Sequence, residues 1–227
     1  MSWFDKLHET FIEGDRYKML FEGLGNTLLI TICALLIGVL IGGAIAVLKY
    51  YAEGNPKLKV VNSICDLYTT IIRGIPVTVL LLIFFYIILV SADGVTVAII
   101  AFGINSGAYM AELIRSGIHA VDKGQMEAAR SLGMSKWQAM RTIILPQAIK
   151  NILPAIGNEC IALLKETSVA GYVAVIDLTR AANLIRNNTF DAINPLVLLA
   201  LTYLVMVVIM TKLLSILEKR LRKSEKR

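Results

Sequence analysis

Residues 122–146 read DKGQMEAARSLGMSKWQAMRTIILP and form the one long polar and charged insert between the apolar stretches of this chain. Asp122 is followed three residues later by a glutamine, the spacing of a capping box that starts a helix, and Ser135 repeats this spacing. Gly133 suits the left-handed residue that ends the first helix, and Leu145-Pro146 is expected to end the second. The segment is therefore predicted to form two short helices around a tight corner.

The composition of the chain places this insert in a membrane protein. Hydrophobic residues make up 56% of the 227 residues, only 18% are charged, and the mean hydropathy is +0.68. An ordinary soluble domain of this length is much less apolar. The sequence therefore predicts an all-α, polytopic membrane protein.

Five transmembrane helices are predicted from the apolar stretches. The first has no charged residue over a length that exceeds a hydrocarbon core of about 30 Å. The second is interrupted by Arg73-Gly74-Ile75-Pro76, so it is either an interfacial helix followed by a span or one long broken helix, and we favour the broken helix. The predicted spans cover approximately residues 23–48, 60–92, 95–117, 146–165 and 192–211. A polar connector is expected from Lys49 to Lys59, and residues 167–191 are predicted to form short surface helices.

The chain is predicted to have three parts with a defined orientation. Residues 1–22 are an extracytoplasmic, interfacial segment, 23–216 form the transmembrane domain, and 217–227 are a basic cytoplasmic tail. With five spans, seventeen of the 23 lysines and arginines lie on one side, which the positive-inside rule assigns to the cytoplasm. The N-terminus is therefore predicted to lie outside, and residues 122–146 and the C-terminus inside.

Small residues recur at every fourth position of the first span. This stripe consists of Ala34, Gly38, Gly42 and Ala46. Such stripes let transmembrane helices approach closely. We expect the stripe to pack within one subunit, while a dimer seam is the alternative.

Polar side chains inside the predicted spans are candidates for a substrate path. The third span carries four of them at helical spacing, predicted to face the protein interior: Asn105, Tyr109, Glu112 and Ser116. Glu112 is expected to reach the interface or to pair with Arg115 or Arg73. Thr78 follows the break in the second span, where freed backbone groups can line a watery path.

The fourth span contains Asn158 and Glu159 close to the expected bilayer midplane. These residues lie about 12 positions, or roughly 18 Å, beyond Pro146 in a core of about 30 Å. Because an ionisable group there costs at least about 2.5 kcal/mol, it normally faces a cavity or a partner. The two residues are therefore candidates for cargo contact, and an internal hydrogen-bonded pair is the alternative.

Three interpretations of residues 122–146 compete. A helix-turn-helix that reads DNA has a similar layout, but the apolar spans begin too close on both sides to let it reach a duplex. An ordinary loop gives no reason for two caps, a glycine corner and a terminal Leu-Pro. The third interpretation is a resemblance: Glu127-Ala128-Ala129, three residues, Gly133, nine residues, Ile143, one residue and Leu145-Pro146 resemble the EAA loop of ABC importer membrane subunits.

This resemblance implies that a cytoplasmic coupling helix docks into a groove of a separate ATP-hydrolysing subunit. The residues it assigns to this contact are Glu127, Ala128, Ala129, Gly133, Met134, Leu145 and Pro146. The chain has no Walker A sequence, nucleophile elbow or HExxH motif, so no catalytic or metal residue is expected in it, and MgATP is expected on the partner ATPase.

Further segments resemble the polar amino acid branch of these permeases. They are Tyr109-Met110-Ala111-Glu112 with Arg115, Leu153-Pro154-Ala155-Ile156-Gly157-Asn158-Glu159, and Leu164-Lys165-Glu166-Thr167-Ser168. The resemblance implies five spans, a second permease chain that is identical or related, ATPase subunits, and an extracytoplasmic amino acid-binding protein at a bacterial inner membrane. Ile75 replaces the threonine usual in that branch, so this position departs from the pattern of the branch.

The expected substrate path comprises Arg73, Thr78, Asn105, Tyr109, Asn158 and Glu159. An opine or another small polar solute is an alternative cargo. A different class, an ion-driven carrier or channel, would need no ATPase, whereas a DNA regulator would show salt-dependent binding to nucleic acid.

Overall fold

The computed structural model describes residues 3–53 and 55–223 of the chain. The described residues form ten α-helices, joined by shorter 3-10 and π segments, and none of them forms a strand. The helices are α1 Trp3–Leu7, α2 Tyr17–Ala52, α3 Lys59–Gly74, α4 Val77–Ile83, α5 Gly94–His119, α6 Lys123–Ser131, α7 Lys136–Ala139, α8 Leu145–Glu166, α9 Leu178–Thr189 and α10 Asn194–Lys223. The all-α prediction is confirmed.

Three of the described helices, α2, α5 and α10, are each long and apolar enough to cross a membrane. The stretches Pro56–Gly74 and Val77–Ile88 qualify only together, as a bent pair, which gives up to four candidate spans in the part of the chain described. Helix α8 has 22 residues, but its polar side chains leave it less apolar than the others. The count of five spans therefore stays a prediction.

Backbone chemistry explains the break in the second predicted span. Helix α3 ends at Gly74, and Pro76 adopts φ −55° and ψ 134° before α4 begins. A proline has no N–H to continue a helix, and it pushes the residue before it out of the helical region. The interruption is thus confirmed, whereas the choice between an interfacial helix and one broken span stays open.

Two helices extend beyond the predicted ends of their spans. Helix α2 continues to Ala52, so Lys49 is a buried helical residue rather than the start of a connector. Helix α10 continues through the start of the predicted tail to Lys223. Gly54 of the predicted connector and residues 224–227 of the predicted tail lie outside the described residues.

The chain divides into two compact units. The first contains the described residues up to Leu36, Ile75–Gly103 and Cys160–Met210. The second contains Ile37–Gly74, Ile104–Glu159 and the described residues from Thr211 onward. Helices α2, α5, α8 and α10 each contribute residues to both units.

In the second unit, the small-residue stripe lets α2 pack closely on α5. A Cβ atom at Gly38 would lie 2.7 Å from the Ser106 Oγ atom. A Cβ atom at Gly42 would lie 2.7 Å from the backbone nitrogen of Ala111 and would overlap the Met110 side chain. The expectation that the stripe packs within one subunit is confirmed.

In the first unit, the start of α2 is tied to the segment before α9. The side chain of Asn26 donates to the Ile176 carbonyl at 2.9 Å, and the Leu178 N–H donates to the Thr27 hydroxyl at 3.1 Å. Helix α9 is short, as predicted, but one side of it is fully buried, with Ala182 and Ile185 at 0% exposure. The prediction of short surface helices at residues 167–191 did not include this buried face, while Asn187 and Asn188 of α9 are exposed.

The N-terminal segment is also more structured than predicted. Instead of one interfacial helix, it consists of α1, a π turn at His8–Ile12 and a 3-10 turn at Glu13–Asp15. The buried Thr10 hydroxyl donates to the Asp191 carboxylate at 2.9 Å. A buried polar pair of this kind fixes the segment to the protein rather than leaving it free at a bilayer surface.

A comparison of two adjacent glycines tests the α2 packing. Gly42→Ala is expected to lower the free energy of unfolding by about 1–3 kcal/mol because the new methyl group overlaps α5. Gly43→Ala is the matched control, since its Cβ would meet only the Ile114 Cδ1 atom at 4.0 Å. Thermal unfolding of the purified protein in detergent measures both effects. Equal stability of the two variants would contradict this packing.

Candidate functional site

The first helix of residues 122–146 is capped by Asp122. Its carboxylate accepts a hydrogen bond from the Gly124 N–H at 2.6 Å, and its carbonyl accepts the Gln125 N–H at 3.1 Å. The cap therefore bonds the second residue of the helix, not the third as in the predicted capping box. The predicted helix start is confirmed with this simpler cap.

The corner between the two short helices is a Schellman turn. Gly133 has φ 83°, the left-handed region that a glycine adopts without a Cβ penalty. The Gly133 N–H donates to the Arg130 carbonyl at 3.0 Å, and the Met134 N–H donates to the Ala129 carbonyl at 3.2 Å. The predicted role of Gly133 is confirmed.

The second short helix starts with a complete capping box. The Gln138 N–H donates to the Ser135 hydroxyl at 3.2 Å, and the Ser135 N–H donates to the Gln138 side chain at 2.8 Å. Both orphan donors of the helix start are thus satisfied. We call residues 122–146 the elbow, since two capped helices meet at one fixed corner.

The expected stop at Leu145-Pro146 is wrong. A π segment at Met140–Ile144 runs directly into α8, so the chain stays helical through Pro146. A π turn departs from the regular hydrogen-bond ladder, and it thereby accommodates a proline that lacks an N–H. The elbow is consequently continuous with α8.

A hydrophobic cluster attaches the elbow to the long helices of its unit. Its buried members are Val121, Met140, Ile144, Ala148 and Ile152, and its partly buried members are Tyr50, Ile114, Ile118, Met126, Ile143 and Ile156. We call this set the elbow core. These residues come from the ends of α2 and α5, from both arms of the elbow and from the start of α8. Because such cores deform little, the elbow and these helix ends form one mechanical unit.

The outward side of the elbow is exposed and partly apolar. Ala129 is buried at 1% exposure, whereas Glu127, Ala128 and Gly133 are exposed. Leu132, at the corner, is 84% exposed. The remaining coupling candidates lie close by: Met134 is half-buried, and Leu145 and Pro146 are exposed. An exposed leucine beside small residues and one carboxylate is a surface suited to a partner protein.

Behind the elbow lies an ion-pair network centred on the buried Lys49. Its ammonium lies 2.8 Å from the Asp66 carboxylate and 2.9 Å from the Glu112 carboxylate, and its side chain is only 8% exposed. Arg115 lies 3.7 Å from Glu112. The predicted pairing of Glu112 with Arg115 is therefore confirmed, but the closest cation is Lys49, which the sequence reasoning missed.

Two other interactions involve these helix ends. Arg73 does not pair with Glu112; its guanidinium lies 5.2 Å from the centre of the Tyr109 ring. The Lys136 ammonium lies 4.9 Å from the centre of the Tyr50 ring, which connects the second arm of the elbow to α2. The buried face of α2 could have revealed the role of Lys49, because Ala46 lies three residues before it on that face.

The candidates for a substrate path lie in different environments. Asn105 is buried, and the neighbouring Ser106 hydroxyl donates to the Glu159 carboxylate at 3.2 Å. Glu159 thus has an internal hydrogen bond, whereas Asn158 is exposed. Thr78 is half-buried in α4, in the other unit. The structure brings Arg73 and Tyr109 together, and Glu159 close to the helix turn of Asn105.

Comparison with known proteins gives a consistent result. The family described as "Binding-protein-dependent transport system inner membrane component" matches residues 50–223. The putative glutamine transport system permease protein GlnP of Rickettsia typhi is 37% identical over 210 residues, covering 90% of this chain and 94% of the relative. The arginine transport system permease protein ArtQ of Bacillus subtilis is 35% identical over 210 residues, covering 91% and 94%.

Solved structures show the same similarity. A chain in a crystal structure of an amino acid ABC transporter with histidines has a TM-score of 0.83 and 42% identity, covering 92% of this chain and 98% of that chain. A chain of the MetNI methionine ABC transporter in an inward-facing conformation has a TM-score of 0.78 at 19% identity, covering 89% and 96%. The second likeness concerns the fold alone.

Removal of the central cation tests the ion-pair network. Lys49→Met leaves two carboxylates facing each other without their cation, and it is expected to lower the free energy of unfolding by about 1–3 kcal/mol. This range allows for the partial exposure of Asp66. Lys57→Met is the control, since Lys57 is exposed on the nearby connector. Thermal unfolding of each purified variant measures the difference, and a Lys49 variant as stable as the control would refute the structural role of the network.

Proposed function

This chain belongs to the family of binding-protein-dependent transport system inner membrane components, and we propose that it is the permease subunit of an ATP-driven importer of polar amino acids. The single observation that carries the proposal is the elbow: two capped helices, an exposed corner and a core that attaches them to α2, α5 and α8. A rigid, exposed element that is packed against the long helices is expected to function when a partner protein binds it and moves it.

The amino acid cargo is supported by the relatives and by the 42%-identical structure. The relatives carry names for glutamine and arginine, and the structure is of an amino acid transporter with histidines. An ion-driven carrier needs no docking partner, and it would leave the exposed Leu132 at the corner without a purpose. The family and the elbow together therefore favour the ATP-driven class.

The partners follow from the same proposal. ATPase subunits bind and hydrolyse MgATP and grip the elbow, while a second permease chain completes the path. An extracytoplasmic binding protein delivers the amino acid. The basic residues support an orientation at a bacterial inner membrane with the N-terminus outside and the elbow and C-terminus in the cytoplasm.

Mechanically, the elbow transmits motion as a rigid body. Its caps and its Schellman turn satisfy the ends of both short helices, so the corner resists bending. Because Ile118 at the end of α5 and Ala148 in α8 belong to the elbow core, a displaced elbow displaces both helices. We propose that closure of the ATPase pair moves the segment from Asp122 to Ser135 as one unit and opens the path outward.

The proposed contact of Glu127 can be tested by charge reversal. Glu127 is exposed on α6, so Glu127→Arg leaves the fold intact but places a cation where the groove of the ATPase is expected to be basic. Like charges at an interface cost several kcal/mol, so uptake and substrate-stimulated ATP hydrolysis are expected to fall about tenfold or more. Both rates are measured in proteoliposomes that contain the whole transporter.

Glu13→Arg provides the control for this experiment. It makes the same change of charge at an exposed site in the N-terminal segment, far from the elbow in sequence, and it is expected to keep wild-type rates. Wild-type coupling in the Glu127 variant would contradict the docking role of this carboxylate.

A further inference from the structure

The first unit contains a polar cavity that the elbow and the predicted path do not use. It has a volume of about 560 Å³ and lies beside the 3-10 segment Thr167–Val173 and α9. Seven of its lining residues can form hydrogen bonds through their side chains: Ser168, Tyr172, Asp177, Thr179, Arg180, Asn183 and Asn187. A cavity of this size falls within the range of about 300–1,000 Å³ typical of small-molecule sites.

Several donors in this cavity have no partner among the residues that the structure describes. The guanidinium of Arg180 donates from Nη1 to the Gly171 carbonyl at 2.5 Å, and no other acceptor for it occurs among the described residues. A guanidinium has five N–H donors, so four are left for a ligand. The Asn183 amide likewise has no hydrogen bond within the described part of the chain. These half-buried donors line the cavity and remain free to bond a ligand that supplies acceptors.

The position of Arg180 is fixed by its surroundings. Asp177, at 0% exposure, accepts the Thr179 N–H at 3.0 Å and the Arg180 N–H at 3.2 Å and so caps α9. A Cβ atom at Gly171 would lie only 3.0 Å from the Asp177 carboxylate and 3.1 Å from the Arg180 Cβ atom. The 3-10 segment at Gly171 is therefore in direct contact with the start of α9, and its carbonyl holds the Arg180 guanidinium beside the cavity.

The backbone beside the cavity is strained. Ala174 ends the 3-10 segment with φ 63°, a left-handed conformation that costs an alanine of order 1–3 kcal/mol. Such strain persists only where the surrounding structure enforces it. Burial also raises the pKa of the Asp177 carboxyl, although its hydrogen bonds with the α9 backbone oppose this effect. The sequence thus maintains a costly local geometry around Arg180.

We propose that this cavity binds the transported amino acid on the extracytoplasmic side, with Arg180 pairing with its α-carboxylate and Asn183 and Asn187 bonding its polar side chain. The inference rests on the proposed function and adds a site to it. Arg180 is the only basic residue that lines the cavity in the described part of the chain. Its planar guanidinium fits a carboxylate with two parallel hydrogen bonds. The amides of the asparagines both donate and accept, as an uncharged polar side chain requires.

The test measures ligand binding by the permease–ATPase complex in nanodiscs without the binding protein. The probes are radiolabelled L-glutamine and L-arginine, with 4-aminobutanamide as a competitor that lacks the α-carboxylate of glutamine. Arg180→Met is expected to weaken amino acid binding about 10- to 100-fold and to remove the advantage of glutamine over 4-aminobutanamide. Arg186→Met, on the same helix but outside the cavity lining, is expected to bind as the wild type does.

Asn183→Leu keeps the test decisive if Arg180→Met misfolds. Its amide has no partner in the described part of the chain, so the variant is expected to fold normally and to bind L-glutamine about 3- to 10-fold more weakly. Unchanged binding in both variants, or no binding by the wild type, would overturn the proposal. So would weaker binding by the Arg180 variant that still prefers glutamine over 4-aminobutanamide.

Uptake by the complete transporter separates this inference from the proposed function. ATP-dependent amino acid uptake by the wild type, together with unaltered binding in the two variants, rejects the cavity and retains the importer. An uptake defect of the Arg180 variant without a binding defect also rejects the cavity, because it indicates a contact with the binding protein. Absence of uptake for every amino acid tested rejects the importer itself.

Discussion

In the function proposed for this protein, the transmission of motion depends on the packing of the elbow core. The helix caps and Gly133 give the elbow its shape, and buried residues such as Val121, Met140 and Ile144 pack that shape against the long helices. If flexible tethers joined this helix pair to the long helices, a partner could bind the pair without moving the long helices. Because a packed core is stiff, force applied at the exposed corner is delivered to the ends of α5 and α8.

The end of α2 joins this core to the charges behind it. Lys49 and Tyr50 are consecutive residues: Lys49 is held between Asp66 and Glu112, whereas Tyr50 packs on the elbow core and lies under the Lys136 ammonium. One turn of α2 therefore contacts α3 through Asp66, α5 through Glu112 and the elbow through Tyr50. Because Lys49 is buried and paired with two carboxylates, separating it from either carboxylate is costly. This turn therefore favours discrete arrangements of the helices over gradual deformation.

Sequence reasoning succeeded where the controlling interactions are local. The corner at Gly133, the capping box at Ser135 and the break at Pro76 each depend on residues within a few positions of one another. It failed where a distant partner decides the outcome. The sequence alone does not reveal the burial of Lys49, because its partner Glu112 lies 63 residues away. Nor does it reveal the burial of α9, which depends on contacts with Asn26 and Thr27, about 150 residues earlier. The cavity beside Arg180 was missed for the same reason, since its wall and its cation come from separate segments.

The most direct test of the elbow as the coupling element is the side of the membrane on which its corner lies and the protection of that corner from labelling by the bound ATPase. Leu132→Cys, in a chain whose Cys33, Cys65 and Cys160 are replaced, places a single thiol on the most exposed apolar residue of the elbow. A membrane-impermeant maleimide is applied to right-side-out and inside-out vesicles, with and without the ATPase. The account predicts labelling only in inside-out vesicles and protection when the ATPase is bound. Labelling from the outer side, or equal labelling with and without the ATPase, would contradict it.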